Sequence, residues 1–297
     1  MINQVAWIDD VFILKVKVQN GPRMMTVADS PVIYWKSMDR YFPVKLDHAI
    51  DYETVRMTFA QELPMGEDLI LHWGALRLPI YPGAIVRTDW FDKHYSHVDA
   101  ELGAKYEPAE TTFSVWTPTA TSVNLVIKGK IHPLKRGDYG VWSSAIAGDL
   151  HGVPYQYEVT VNGQSNLVND PYSKALLANS EKSVVVDLAK TNPSGFAETT
   201  RPKHHLQDAI IYELHVRDTT IQKESGVLNK GKFIGLTETD TATKNGYSTG
   251  ISYIKELGCT HVKLLPINDY ARVNEINPEN DYNWGYDPLF FQVPEGS

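Results

Sequence analysis

The feature that most constrains this chain is a strict alternation of apolar and polar side chains in its middle part. Every second residue from 155 to 161 is apolar, and Asn162-Gly163 follows directly. Alternation with a period of two places the apolar side chains on one face of a strand, and Asn-Gly accepts the positive φ angles of a type I′ turn. With a similar pattern at 122–128, this predicts an antiparallel β-sandwich of immunoglobulin-like size over residues 102–190.

The first 98 residues carry strand patterns as well. Phe12, Leu14, Val16 and Val18 occupy alternate positions, and proline recurs at short intervals after them, which breaks long helices. These patterns predict that residues 1–98 form an all-β accessory domain, a second small β-sandwich.

The last third of the chain follows a different pattern. Residues 209–216 and 260–267 are apolar runs suited to buried strands, and 248–257 has the spacing of a helix that ends at Gly258. Strand, helix and strand in this order predict a parallel pair of strands. The turn-rich residues 191–207 that come before them are predicted to be a linker.

Charge and cysteine content exclude some classes of function. The net charge is −8, from 28 basic and 36 acidic residues, whereas nucleic-acid binding needs a basic surface. Cys259 is the one cysteine, so no intrachain disulfide can form. No stretch is apolar enough to span a bilayer, and the N-terminus lacks a signal-peptide pattern. We therefore expect a cytoplasmic protein that binds neither nucleic acid nor membranes.

No cofactor and no metal site are predicted. His94 and His97 are close in sequence, but they lie in the β-rich part without nearby cysteines or clear carboxylate partners. Nothing in the sequence is typical of a calcium loop either.

A segment rich in aromatic residues follows the second strand of the last third. Tyr282, Trp284 and Tyr286 fall within five positions, and Asp287 comes directly after them. In parallel β/α barrels the functional sites lie on the loops after the strands. Two interpretations are open: the rings pack on one another at the rim of a barrel, or they form a platform for a sugar with a carboxylate beside it.

Several segments together resemble one family. Residues 282–288, Tyr-Asn-Trp-Gly-Tyr-Asp-Pro, match the signature of the type I pullulanases at every position. Residues 209–218 and 261–270 resemble the first and second barrel strands of that family, which is glycoside hydrolase family 13 of the α-amylase superfamily. Residues 113–120 resemble the opening of a carbohydrate-binding module of family 48. The resemblance covers about residues 100–297 and identifies the N-terminal portion of such an enzyme.

The resemblance implies a multidomain fold. Two immunoglobulin-like β-sandwich domains, residues 1–98 and 102–190, would be followed by the linker 191–207 and by the start of a parallel (β/α)8 TIM barrel. Residues 208–297 would be the N-terminal part of that catalytic barrel. The barrel would be incomplete in this chain, because a full one needs about 250 residues.

The resemblance also assigns roles to individual residues. Tyr286 would stack on the glucose at subsite −1, and Asp287 would belong to the polar network of that subsite. Tyr282, Asn283 and Trp284 would shape and brace the loop. For Gly285, which lies between them, we expect a close backbone approach or an unusual φ angle.

Two tryptophans belong to the second β-rich region. Trp142 is a candidate ring for stacking on glycan in the binding module, and a place in the core of the sandwich is an equally open alternative. Trp116 is expected to be a core residue.

The family hydrolyses α-1,6-glucosidic branch linkages in pullulan, glycogen or limit dextrins by a retaining mechanism with two carboxylates. The resemblance places the nucleophilic Asp after the fourth barrel strand and the acidic Glu after the fifth, and neither motif occurs in this sequence. We therefore expect no catalytic residue here, a fragment that is inactive alone, and two partners: an α-glucan and the remainder of its own catalytic domain. The alternative is a non-catalytic fragment that binds α-glucan.

Overall fold

The computed structural model describes residues 4–18 and 30–296 of the chain. Residues 1–3, 19–29 and 297, which fall inside the predicted domains 1–98 and 208–297, lie outside this description. The described strands are β1 (Val5–Asp10), β2 (Ile13–Lys17), β3 (Val32–Trp35), β4 (Arg40–Ala49), β5 (Thr54–Phe59), β6 (Leu69–Trp73), β7 (Leu76–Pro82), β8 (Gly103–Tyr106), β9 (Glu110–Trp116), β10 (Ser122–Ile127), β11 (Lys130–Pro133), β12 (Lys135–Arg136), β13 (Val141–Ala147), β14 (Pro154–Val161), β15 (Gln164–Val168), β16 (Ser183–Val184), β17 (Ile211–Leu214), β18 (His261–Leu264), β19 (Asn268–Tyr270) and β20 (Pro288–Pro294). The described α-helices are α1 (Asp89–Tyr95), α2 (Val216–Thr220) and α3 (Gly250–Glu256).

The chain divides into two compact units. The first contains residues 1–150 and 155–170, and the second contains residues 151–154 and 171–297. The domain boundaries derived from the sequence stay predictions.

The N-terminal strands form a closed barrel. The strand order is β1-β2-β5-β4-β3-β6-β7, and the parallel pairing of β1 with β7, with Ala6 opposite Ile80, closes it. Leu14, Met57 and Trp73 are among the side chains that fill its core. The predicted immunoglobulin-like sandwich over residues 1–98 is therefore wrong. Apolar side chains at alternate positions show that a strand has one buried and one exposed face. Strands of sandwiches and of barrels both have this pattern, so the pattern alone does not distinguish the two folds.

Two antiparallel sheets follow in the same unit. One has the order β12-β13-β9-β8, and the other has the order β11-β10-β14-β15. The rings of Phe113 on β9 and Tyr155 on β14 meet edge to face with centroids 4.9 Å apart, so the sheets face each other across a buried core. Asn162 and Gly163 have φ angles of 52° and 72° between β14 and β15, which confirms the predicted hairpin turn.

The second unit contains the predicted strand, helix and strand. Strand β17 pairs in parallel with β18, Ile211 lies opposite His261, and α3 lies between the two strands in sequence. Gly258, with a φ of +75°, follows the helix as expected. The sequence did not predict the antiparallel hairpin of β19 and β20. An eight-stranded barrel stays a prediction, because the described residues of the second unit contain this one parallel pair.

The described helices are all short, and none has the length and apolar character that a bilayer crossing requires.

Candidate functional site

The aromatic loop, residues 281–287, is the last part of the segment that connects β19 to β20. Its three rings are largely open to solvent: Tyr282 is 49% exposed, Trp284 60% and Tyr286 65%. Exposed rings of this size cost free energy in water, so such a group is typical of a binding surface. Of the two interpretations open from the sequence, a solvent-facing platform fits these exposures better than a packed rim.

Asn283 holds the loop in its turn. Its side-chain amide nitrogen donates to the carbonyl of Ala271 and to the carboxylate of Asp287, both at 2.7 Å. Its side-chain oxygen accepts from the backbone N–H of Gly285 at 2.9 Å. The side-chain amide of Asn283 thus connects Ala271, which directly follows β19, with Asp287, which directly precedes β20. The bracing role that the resemblance implies for Asn283 stays a prediction.

Gly285 has both properties expected of it. Its φ is +84°, and a Cβ at this position would lie 2.5 Å from the carbonyl oxygen of Pro266. Only glycine adopts this conformation without strain and without a clash.

Asp287 is fixed by two partners. Its second carboxylate oxygen lies 2.7 Å from Nη2 of Arg272, while Asn283 donates to the first. Asp287 is half-buried, and these two contacts set the orientation of its carboxylate.

Sequence reasoning missed three residues that follow β17. His215, Arg217 and Asp218 all contact the aromatic loop or the residues just before it. The hydroxyl of Tyr282 donates to Asp218 at 2.7 Å. Burial raises the pKa of Tyr282, and the hydrogen bond to Asp218 raises it further. The signal that could have found them is their position at the carboxyl end of a parallel strand.

A cleft of about 730 Å³ opens beside these residues. Its walls come from the end of β17, from the first turns of α3, and from Tyr282 and Trp284 of the aromatic loop. Asp218 and Glu224 contribute carboxylates to the lining, whereas Tyr286 and Asp287 lie outside it. Aromatic faces and carboxylates together suit the apolar faces and hydroxyl groups of a sugar.

The two tryptophans differ from each other. Trp142 is 7% exposed, its indole N–H donates to the carbonyl of Thr117, and the Arg136 guanidinium lies 5.4 Å from its ring centre. This burial favours the core alternative over stacking on glycan. Trp116 is 43% exposed, so its predicted core position is wrong. It ends β9, where its indole N–H donates to the carbonyl of Tyr95 at 2.8 Å.

A cluster of three carboxylates was not foreseen from the sequence. Oxygens of Asp269, Glu275 and Glu295 lie within 4.8 Å of one another. Burial raises the pKa of Asp269, and the charge of Glu275 adds to the effect, while a hydrogen bond from the Ser180 hydroxyl opposes it.

Oxygen ligands of this kind can hold a divalent cation. In this cluster, however, backbone N–H groups already donate to two of the three side chains. Those of Asn179 and Gly296 donate to Glu275, and that of Tyr270 donates to Glu295. The cluster therefore has a structural explanation within the protein.

Comparison with known proteins gives consistent similarities. Residues 101–173 match the family model "Carbohydrate-binding module 48 (Isoamylase N-terminal domain)". A pullulanase of Bacillus subtilis (strain 168) is 44% identical over 220 residues, which are 72% of this chain and 30% of the relative. Pullulanase 1, chloroplastic, of Arabidopsis thaliana is 30% identical over 258 residues, 69% of this chain and 26% of the relative.

Solved structures are similar over almost the whole chain. A pullulanase from Anoxybacillus sp. LM18-11, complexed with maltotetraose, has a TM-score of 0.88 and 33% identity, covering 98% of this chain and 42% of that one. A type I pullulanase from Bacillus subtilis str. 168, complexed with maltose, has a TM-score of 0.88 and 35% identity, covering 99% and 42%. The chain thus spans about 30% of the length of the curated relatives and less than half of these structures.

Proposed function

We propose that this chain, whose sequence and fold correspond to the N-terminal part of the type I pullulanases, belongs to an enzyme that hydrolyses α-1,6-glucosidic branch linkages. The substrates would be pullulan, glycogen or limit dextrins, and the mechanism would be the retaining one with two carboxylates. The observation that carries the proposal is the aromatic loop. It has the family signature in its sequence and presents exposed rings beside a fixed carboxylate.

In this proposal the loop binds glucan and takes no part in bond cleavage. The ring of Tyr286, with 65% of its surface exposed, would stack on one glucose unit. Asp287 would accept hydrogen bonds from sugar hydroxyls, and Tyr282, Asn283 and Trp284 would keep the loop in shape. The motifs expected around the nucleophile and the acid are absent from this sequence, so the 297-residue chain by itself should not hydrolyse glucan.

Residues 208–297 would form the start of a (β/α)8 barrel. The parallel pair β17–β18 and the intervening α3 support this interpretation, because this is the unit from which such barrels are built. The remainder of the catalytic domain would then be a partner of this part of the chain.

The proposal is tested by binding and by hydrolysis on the same protein. In gels that contain pullulan, the 297-residue chain should migrate more slowly than in gels without it, and Tyr286→Ala should reduce that retardation. A reducing-sugar assay with pullulan should give no product. Unretarded migration of the unaltered chain would refute glucan binding, and product formation would refute the assignment of the catalytic residues to another part of the enzyme.

A second candidate is a purely glucan-binding protein whose affinity lies in residues 101–173. The match of these residues to a carbohydrate-binding module favours it. In that case Tyr286→Ala would leave the retardation in pullulan gels unchanged.

A further inference from the structure

We propose that Arg217, Asp218 and His215 are positioning residues that hold the aromatic loop in the conformation that presents Tyr286. We call these three residues the clamp. The loop conformation concerns the chain alone, and the use of that conformation for glucan rests on the function proposed above.

Arg217 forms the most specific part of the clamp. Its Nη1 donates to the carbonyl of Asp281 at 2.7 Å, and its Nη2 donates to the carbonyl of Glu279 at 3.1 Å. Its guanidinium carbon also lies 5.7 Å from the centre of the Tyr282 ring. A planar fork of donors can meet two carbonyls and one ring at once, whereas the ammonium group of lysine cannot.

His215 holds the next carbonyl along the loop. Its Nε2 lies 3.0 Å from the carbonyl oxygen of Asn283, while its Nδ1 faces the backbone N–H of Asp218 at 3.4 Å. Because an N–H group faces Nδ1, this nitrogen acts as an acceptor, and Nε2 carries the proton that it donates to Asn283. The imidazole is nearly buried, with 8% of its side chain exposed, which fixes its direction.

Asp218 adds a bond to a side chain of the loop. It accepts from the hydroxyl of Tyr282 at 2.7 Å, and the Tyr282 ring lies 5.5 Å from that of His215. The tyrosine is thus bound at its hydroxyl and on its ring. Although Tyr282 is 49% exposed, its orientation is set by residues that lie more than 60 positions earlier in the chain.

The contacts follow a regular order along the loop. The carbonyls of residues 279, 281 and 283 are each held by the clamp, and Asn283 then fixes Gly285 and Asp287 from within. Tyr286 lies between these last two fixed points and has the most exposed of the three rings. A loop that is ordered before the ligand arrives loses less conformational entropy on binding. The clamp should therefore strengthen binding without touching the sugar.

Hydrogen exchange on the 297-residue chain tests the conformational half of the proposal. Arg217→Lys and Tyr282→Phe should each raise the exchange rate of the backbone amides of residues 279–287 about tenfold, because each loses hydrogen bonds from the clamp. Asp218→Asn keeps an acceptor oxygen for the Tyr282 hydroxyl. The backbone amides of residues 279–287 should therefore exchange more slowly in Asp218→Asn than in Asp218→Ala.

Matched controls are Arg201→Lys and Tyr247→Phe, exposed residues of the same unit that lie outside the clamp, the loop and the cleft lining. They should leave the exchange of residues 279–287 at the rate of the unaltered chain. Equal exchange in the clamp variants and the controls would overturn the proposal.

Titration with maltotriose, followed by the fluorescence of the tryptophans, tests the functional half. The clamp variants should bind maltotriose several-fold more weakly than the unaltered chain, and their melting temperatures should be unchanged. A general loss of stability would instead lower the melting temperature as well. Faster exchange with unchanged affinity would overturn the positioning role. If the unaltered chain does not bind maltotriose, the function proposed for the loop fails, and the exchange rates alone decide whether the clamp exists.

Discussion

Gly285 and Gly246 have nearly the same backbone φ, +84° and +85°, in different surroundings. A Cβ on Gly285 would lie 2.5 Å from the Pro266 carbonyl oxygen, whereas a Cβ on Gly246 would have no neighbour within 4 Å. Gly246→Ala should therefore cost about 1 kcal/mol of the free energy of unfolding, which is the cost of the positive φ. Gly285→Ala should cost about 1–3 kcal/mol more, because of the clash.

Urea denaturation of the two variants measures this difference, and the Gly246 variant is the control for the backbone angle. Equal losses of unfolding free energy would mean that the approach to Pro266 does not constrain the loop. The same comparison shows what the sequence could predict at this scale. The need for glycine was evident from the motif, but its neighbour Pro266 could be identified only in the folded chain.

Asp269 gives the protein a dependence on pH. Since its pKa is raised by burial and by Glu275, the folded state holds the proton more strongly than the unfolded state. The free energy of unfolding should fall as the pH rises from about 4, the ordinary pKa of Asp, through the raised value in the folded protein. Asp269→Asn cannot release a proton and should lack this part of the pH dependence.

The measurement is the melting temperature of both proteins between pH 4 and pH 7. The melting temperature of Asp269→Asn minus that of the unaltered chain should increase as the pH rises. If this difference in melting temperature stayed constant or decreased towards pH 7, it would contradict the raised pKa of Asp269.

At the scale of elements, β12 connects the barrel to the sandwich within the first unit. Arg136 on this strand donates to the carbonyls of Pro118 and Met65 at 2.7 Å and of Ala120 at 2.9 Å. The ammonium group in Arg136→Lys can donate to only some of these three carbonyls. Because buried carbonyls would then lack a donor, the free energy of unfolding should fall by about 1–3 kcal/mol.

The matched control is Arg77→Lys. Arg77 also donates to two carbonyls, those of Gly74 and Leu76, but it is exposed and its partners are local. Its substitution should change the unfolding free energy by less than about 0.5 kcal/mol. Guanidinium chloride denaturation compares the two, and similar losses would show that Arg136 does not join the two β-rich parts.

The elements also show which parts of the fold the sequence could predict. The turn at Asn162-Gly163 was predicted because neighbouring residues determine it. The barrel was not, because the partner of β1 lies about 70 residues further along the chain. The clamp was missed for the same reason: Asp218 and Tyr282 are 64 positions apart. Local sequence therefore predicted an aromatic loop here but left open whether its rings pack or face solvent, and long-range contacts determine what holds the loop.

At the scale of the whole molecule, two compact units predict that unfolding is not a single two-state transition. Trp142→Ala removes a buried ring from the first unit and should lower its transition, at a cost of about 3–5 kcal/mol. Ile254→Ala in α3 should lower the transition of the second unit instead, by about 2–5 kcal/mol.

Differential scanning calorimetry of both variants tests this assignment. Each variant should move one transition and leave the other at its original temperature. One shared transition that both substitutions move equally would contradict it.

The closure of the barrel by β1 and β7 also has a consequence for synthesis on the ribosome. Strand β1 leaves the exit tunnel early, but the strand that closes the barrel, residues 76–82, is translated about 70 residues later. Until then one edge of β1 has no partner from its own barrel, and contacts between residues so distant in sequence form slowly. Any pause in translation before residues 76–82 have left the tunnel lengthens this interval, and the barrel can close only after they emerge.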